Sequence, residues 1–185
     1  MVRQILFGSM LAAVGFLAGC SGDNAAGPRA AGPSIEGSKF VLAAEPAGAK
    51  SVIALRKDAK DGDRVVIVGR IGGDKNPWIE GKAGFWIVDT SFKPCNEKED
   101  DACPTPWDYC CDSSQELAKG TATIKFVDEQ GKTLNVDARK LLDLKELNTV
   151  VVEGRAKRDI EGNLVVLASG VYRRPDAKKS SPGGE

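Results

Sequence analysis

Two runs of β-branched residues, each broken by one glycine, constrain this chain more than any other feature: Val66-Ile67-Val68-Gly69-Arg70 and Val151-Val152-Glu153-Gly154-Arg155. β-Branched side chains are stiff at χ1 and suit a pleated sheet. A glycine inside such a run marks a bulge or a sharp bend, as a small, strongly curved sheet requires. Further strands surround these two. Arg64 to Ile71 is apolar on both faces, which predicts a strand buried on both sides and shared by two layers. Ala83 to Asp89 is the second strand, in which Phe85 and Trp86 point to opposite faces, one to a core and the other outward. Thr121 to Val127 alternates, turns at Asp128 to Lys132 and continues through Thr133 to Val136 as a hairpin. Thr149 to Ala156 and Leu164 to Tyr172 complete the set, joined by the turn at Ile160 to Asn163. Helical spacing appears in Val52 to Lys57, capped by Ser51, and in Ala138 to Leu147, capped by Asp137.

The order strand, strand, long strand or hairpin, helix, strand, strand resembles the OB-fold, and the likeness covers about Ser51 to Arg173. It implies a mainly β domain: a small five-stranded Greek-key barrel with one short helix between its third and fourth strands. To this the sequence adds a short N-terminal helix and a cysteine-rich insertion, residues 95–111, between the second and third barrel strands. OB-folds host many unrelated functions, so the fold alone names no ligand.

The N-terminus opens with Arg3, an apolar run from Ile5 to Leu17, and then Leu17-Ala18-Gly19-Cys20. A basic flank, an apolar segment too short to span comfortably and a small-residue cleavage site describe a secretory signal. Leu-Ala-Gly-Cys resembles the lipobox of bacterial lipoproteins. That resemblance implies removal of residues 1–19 and acylation of Cys20, with several acyl chains on one residue making a stable anchor. Ser21 is not the aspartate associated with inner-membrane retention, so the implied location is the outer membrane, facing the periplasm. Residues 20–49 are rich in Gly, Ala and Pro and read as a tether, with Phe40-Val41-Leu42 read as a short strand or sticky patch within it. The domain then runs over 50–173, and residues 174–185 read as a disordered tail.

The insertion holds the remaining four of the five cysteines, Cys95, Cys103, Cys110 and Cys111. In an oxidising compartment an even number of cysteines predicts two disulfides. A direct Cys110–Cys111 bond needs a strained eight-membered ring, so each of these two is expected to pair outward, with Cys95 and Cys103. The rival is a thiolate metal site with spacing Cys-x7-Cys-x6-Cys-Cys. Adjacent ligands fit one tetrahedral ion awkwardly, and no Cys-x2-Cys knuckle is present, so the sequence reading assigns no metal and no cofactor. A redox-active pair is a third reading, weakened because Asp108 and Asp112 would raise the neighbouring thiol pKa values. Glu97, Glu99, Asp100, Asp101, Asp108 and Asp112 read as a solvated acidic loop and match no calcium-binding loop.

Histidine is absent and the formal net charge is zero. The first fact removes the commonest general base and transition-metal ligand, and the second offers no overall field for a polyanion. With neither a nucleophile elbow nor a phosphate loop, the sequence predicts no enzyme. Trp107 and Tyr109, bracketed by prolines and cysteines, and Trp86 on its strand are the candidate ligand-binding residues. The leading expectation is a lipid-anchored, non-enzymatic envelope module binding a protein or glycan partner. The alternative is a metal-handling or redox envelope protein using the four cysteines. Nucleic-acid binding through Arg155, Lys157, Arg158, Arg173 and Arg174 stands third.

Overall fold

The computed structural model describes residues 32–98 and 103–176. The expected signal segment, the expected lipidation site Cys20, the first part of the expected tether, Glu99 to Asp101 of the acidic run and the tail from 177 lie outside the described residues. The strands in chain order are β1 (Lys50–Ser51), β2 (Arg64–Ile71), β3 (Gly84–Val88), β4 (Thr121–Phe126), β5 (Thr149–Arg158) and β6 (Leu164–Arg173). The α-helices are α1 (Val52–Asp58), α2 (Ser114–Lys119) and α3 (Ala138–Leu142). The described residues contain no helix long and apolar enough to cross a membrane.

Strands β2 to β6 close into a five-stranded barrel. β2 pairs antiparallel with β3 and β5, β3 with β4, and β5 with β6, while β4 and β6 run parallel. This is the expected OB-fold-like barrel, with α3 between its third and fourth strands and the cysteine insertion between its second and third. The interior is filled from alternate positions: Ile67 and Ile71 of β2, Phe85 and Ile87 of β3, Ile124 and Phe126 of β4, Val150 and Val152 of β5, and Leu164 and Val166 of β6. Closure also corrects the reading of β2. Its burial alternates, and Val66 and Val68 are only half-buried, because a barrel places one face of each strand inside and leaves the other to solvent or flanking segments.

Gly154 meets its expected role. The β5–β6 register shifts between Glu153 and Gly154, and a Cβ on Gly154 would lie 2.3 Å from the Leu167 carbonyl oxygen. Only a residue without a side chain lets the two backbones approach this closely at the bend.

Three expectations need correction. Part of the assumed tether is folded: Phe40 is buried with its ring centroid 5.1 Å from that of Phe126, and the Leu42 amide donates to Val171 O. The arm after β4 is not a strand but a single bridge, Val127 to Thr133, beyond which Leu134 O accepts from the Ala83 amide. The third helix stops at Leu142 because Asp143 adopts a left-handed conformation, although Leu144 is still buried. α2 was not expected. Its signal is Ser113-x-x-Glu116, a capping-box spacing in which the Ser113 hydroxyl accepts from the Glu116 amide.

α1 is capped twice, by Ser51 at the end of β1 and by Asp89 just past the end of β3. The Asp89 carboxylate accepts from the amides of Ile53 at 2.9 Å and Ser91 at 3.0 Å. Burial alone would raise the Asp89 carboxyl pKa, but these amides and the neighbouring serine hydroxyls outweigh it and hold the group below its ordinary value. Its contribution is therefore present above the unfolded aspartate pKa of about 3.9 and is lost as pH falls through the lower folded value. Asp89→Ala is expected to cost about 1–2 kcal/mol in urea unfolding at pH 7, because it removes a charged acceptor from two part-buried amides. The difference from wild type should narrow in acid, where wild type itself loses the carboxylate.

Candidate metal centre

Between β3 and α2 the chain makes two short 3-10 turns, Cys95–Glu97 and Pro106–Asp108. Pro94 leads into the first and Pro106 opens the second, where a fixed φ is tolerated. Tyr109 then takes a left-handed conformation, φ 56°, and the chain turns back so that the Asp112 amide donates to Tyr109 O.

Tyr109 is also the plug that seats this loop on the barrel. Its side chain is fully buried against Gly72, just past the end of β2, where an added Cβ would stand 2.5 Å from Trp107 O and 3.0 Å from the Tyr109 ring. The Gly73 amide donates to Trp107 O at 2.8 Å, Trp107 Nε1 donates to Lys75 O at 3.0 Å, and Arg70 pairs with Glu97 at 3.3 Å. Gly72→Ala is expected to unseat the loop at a cost of about 1–3 kcal/mol. Near-ultraviolet dichroism should then lose its aromatic signal from the loop while the far-ultraviolet β spectrum persists.

These contacts divide the expected aromatic platform. Tyr109 is interior and presents nothing to a ligand, because its ring fills the gap between loop and barrel. Trp107 is half-buried and tied to Lys75. Trp86, the outward partner of the buried Phe85, is half-buried and lines a cavity of about 490 Å³ with Arg56, Asp74, Asp159, Glu161 and Asn163.

Seating the loop brings together side chains up to fifteen residues apart in sequence. The Sγ atoms of Cys95, Cys103 and Cys110 and a carboxylate oxygen of Asp108 all lie within 4.8 Å of one another. Cys110 Sγ is 3.7 Å from both Cys95 Sγ and Cys103 Sγ, and Asp108 Oδ1 is 3.9 Å from each of those two sulfurs. A disulfide requires about 2.05 Å, and no described cysteine pair stands at that distance. The observed spacing instead matches a tetrahedral ion: bonds of about 2.3 Å from metal to sulfur separate the sulfurs by about 3.8 Å.

The surrounding groups hold this donor set in place. Asp108 accepts from the Thr105 hydroxyl at 2.8 Å and the Cys110 amide at 3.0 Å. Burial would raise its pKa, but these bonds more than offset that and keep the carboxylate below its ordinary range. Burial pushes the Cys95 thiol up, partly countered by the Cys110 thiol and the Cys111 amide donating to its sulfur. The Cys110 thiol is pushed strongly up, first by its hydrogen bonds to Cys95 and Cys103. A compact set of anionic donors repels itself until a cation neutralises it, and a bound metal reverses that balance.

Asp108 is the candidate donor that sequence reasoning missed. The sequence shows it only as a charge beside the thiols, since nothing in the order of residues reveals a carboxylate held in the cluster by the Thr105 hydroxyl and the Cys110 amide. With Asp108 as fourth donor, one ion need not take both adjacent cysteines, which removes the geometric objection to a metal. The basic residues fare differently. Arg158 donates to the carbonyls of Arg56 and Ala59, Arg155 to that of Gly62, and Arg174 pairs with Glu45 at 2.6 Å. No protein-family model matches the chain, and no curated protein matches it significantly.

Proposed function

We propose that this chain is a lipid-anchored, non-enzymatic envelope protein, held at the outer membrane facing the periplasm, whose barrel presents a thiolate site for a transition-metal ion. The observation that carries the reading is the spacing of three sulfurs and one carboxylate oxygen within 4.8 Å of one another. Three thiolates and an oxygen form a soft to borderline donor set suited to zinc, and a chain with no histidine has no commoner ligand to offer. Cys95, Cys103, Cys110 and Asp108 would hold the ion. With four protein ligands and no open position, the site is of the structural or metal-carrying kind rather than the catalytic kind.

The test is elemental analysis and native mass spectrometry of the purified full chain, reduced and then exposed to one equivalent of zinc. One tightly held ion per chain supports the proposal. Alkylatable thiols with no added metal mass overturn it.

A second reading keeps the barrel as a partner-binding module. The Trp86 cavity, an aromatic wall beside carboxylates and an amide, favours a glycan over an apolar ligand. Trp86→Ala should abolish glycan-array binding, and an array that shows no binding to wild type removes the reading. Nucleic acid is left out of the proposed partners because Arg158, Arg155 and Arg174 use guanidinium donors within the fold.

A further inference from the structure

We propose that the cysteine cluster is a metal–disulfide switch: oxidation to Cys103–Cys110 and Cys95–Cys111 disulfides expels the ion, and reduction restores the site. This rests on the thiolate-metal reading above and assigns its regulation.

The geometry supplies the metal site and the first of the two bonds with little movement. Cys110 Sγ stands 3.7 Å from Cys103 Sγ, so closing to about 2.05 Å needs a shift of about 1.7 Å. The Cys111 thiol and amide are also among the groups that act on the Cys95 thiol, which places Cys111 on the Cys95 side of the cluster. Each member of the adjacent pair therefore has an outward partner, and the strained Cys110–Cys111 bond is avoided. Cys95 Sγ also lies 3.7 Å from Cys110 Sγ, so Cys95–Cys110 is the competing bond that the linkage analysis must distinguish.

Exposure orders the steps. Cys110 and Cys111 are exposed, Cys103 is half-buried and Cys95 is fully buried, so an external oxidant meets the adjacent pair first. The oxidant we name is a disulfide, RS–SR, whether a small molecule or an exchange protein. Cys110 sulfur attacks one sulfur of RS–SR; that S–S bond breaks, and RS⁻ leaves and takes up a proton as RSH. Cys103 sulfur then attacks Cys110 sulfur in the mixed disulfide, forming Cys103–Cys110 and releasing the second RSH. Two electrons have passed from the protein thiols to the oxidant. A second RS–SR is consumed in the same way, with Cys111 attacking first and Cys95 completing Cys95–Cys111. The ion has then lost three thiolate donors and keeps only Asp108, too few to hold it against solvent.

The test uses the reduced, purified full chain loaded with zinc, then oxidised glutathione, with a chromophoric chelator reporting released zinc. Trypsin cuts after Lys98 and separates Cys95 from the other three cysteines, and fragmentation between Cys110 and Cys111 assigns the partners. Stoichiometric zinc release, a mass lower by four hydrogens and the two stated linkages are the expected result. Zinc bound and retained, with thiols unreacted, overturns the switch but leaves the metal reading standing. Zinc released with a Cys95–Cys110 linkage overturns the assigned pairing. Failure to take up zinc when fully reduced overturns the metal reading and the switch with it. In Cys111→Ser, zinc should still bind, and oxidation should form the Cys103–Cys110 bond alone.

Discussion

Cys110→Ser is expected to weaken zinc binding by at least about 100-fold, while Cys111→Ser changes it by no more than about threefold. The two residues are neighbours in sequence and both are exposed, so composition and accessibility do not separate them. Position does. Cys110 Sγ is the sulfur that stands 3.7 Å from both Cys95 and Cys103, so removing it deletes the vertex linking the other two. Cobalt substitution gives the clearest readout, since the thiolate-to-cobalt charge-transfer band scales with the number of sulfur ligands. Wild type and Cys111→Ser should show the same band, and Cys110→Ser a weaker one or none. Asp108→Asn tests the oxygen ligand separately: affinity should fall while the charge-transfer band of the saturated site persists. Equal loss in both serine variants would sink the assigned donor set.

The second large effect belongs to the barrel. Phe85→Ala is expected to cost about 3–5 kcal/mol in denaturant unfolding, a large part of the roughly 5–15 kcal/mol that holds a domain of this kind together. Phe85 is fully buried at the middle of a chain of rings, 5.5 Å from Trp78 and 6.2 Å from Phe126, which in turn meets Phe40 at 5.1 Å. Truncation leaves a cavity among aromatic side chains that barrel closure prevents from collapsing. Trp86→Ala, one residue along and on the outer face, should change stability by less than about 1 kcal/mol. Equal penalties for the two would contradict the inside–outside assignment of β3.

Most of the barrel was legible from local pattern. Alternation in Thr121 to Phe126, the placement of Phe85 and Trp86 and the glycine in the Val151 to Arg155 run each depend on near neighbours, and each kept its meaning in the folded chain. The errors arose where a segment's state depends on what it meets. Phe40 read as part of a tether because its few apolar neighbours cannot form a core, yet β4 and β6 supply one. Thr133 to Val136 alternates like a strand, but only a single bridge joins it to the end of β4.

By itself, then, the sequence determined the strand order, the alternation of strands such as Thr121 to Phe126 and the confinement of four cysteines to one insertion, because periodicity and turn chemistry act over a few residues. Only the tertiary structure decided what those cysteines form. Docking of Tyr109 against Gly72 and the left-handed turn at Tyr109 set the distances among Cys95, Cys103, Asp108 and Cys110. A distance between side chains separated by up to fifteen residues follows from packing, and no spacing in the sequence encodes it.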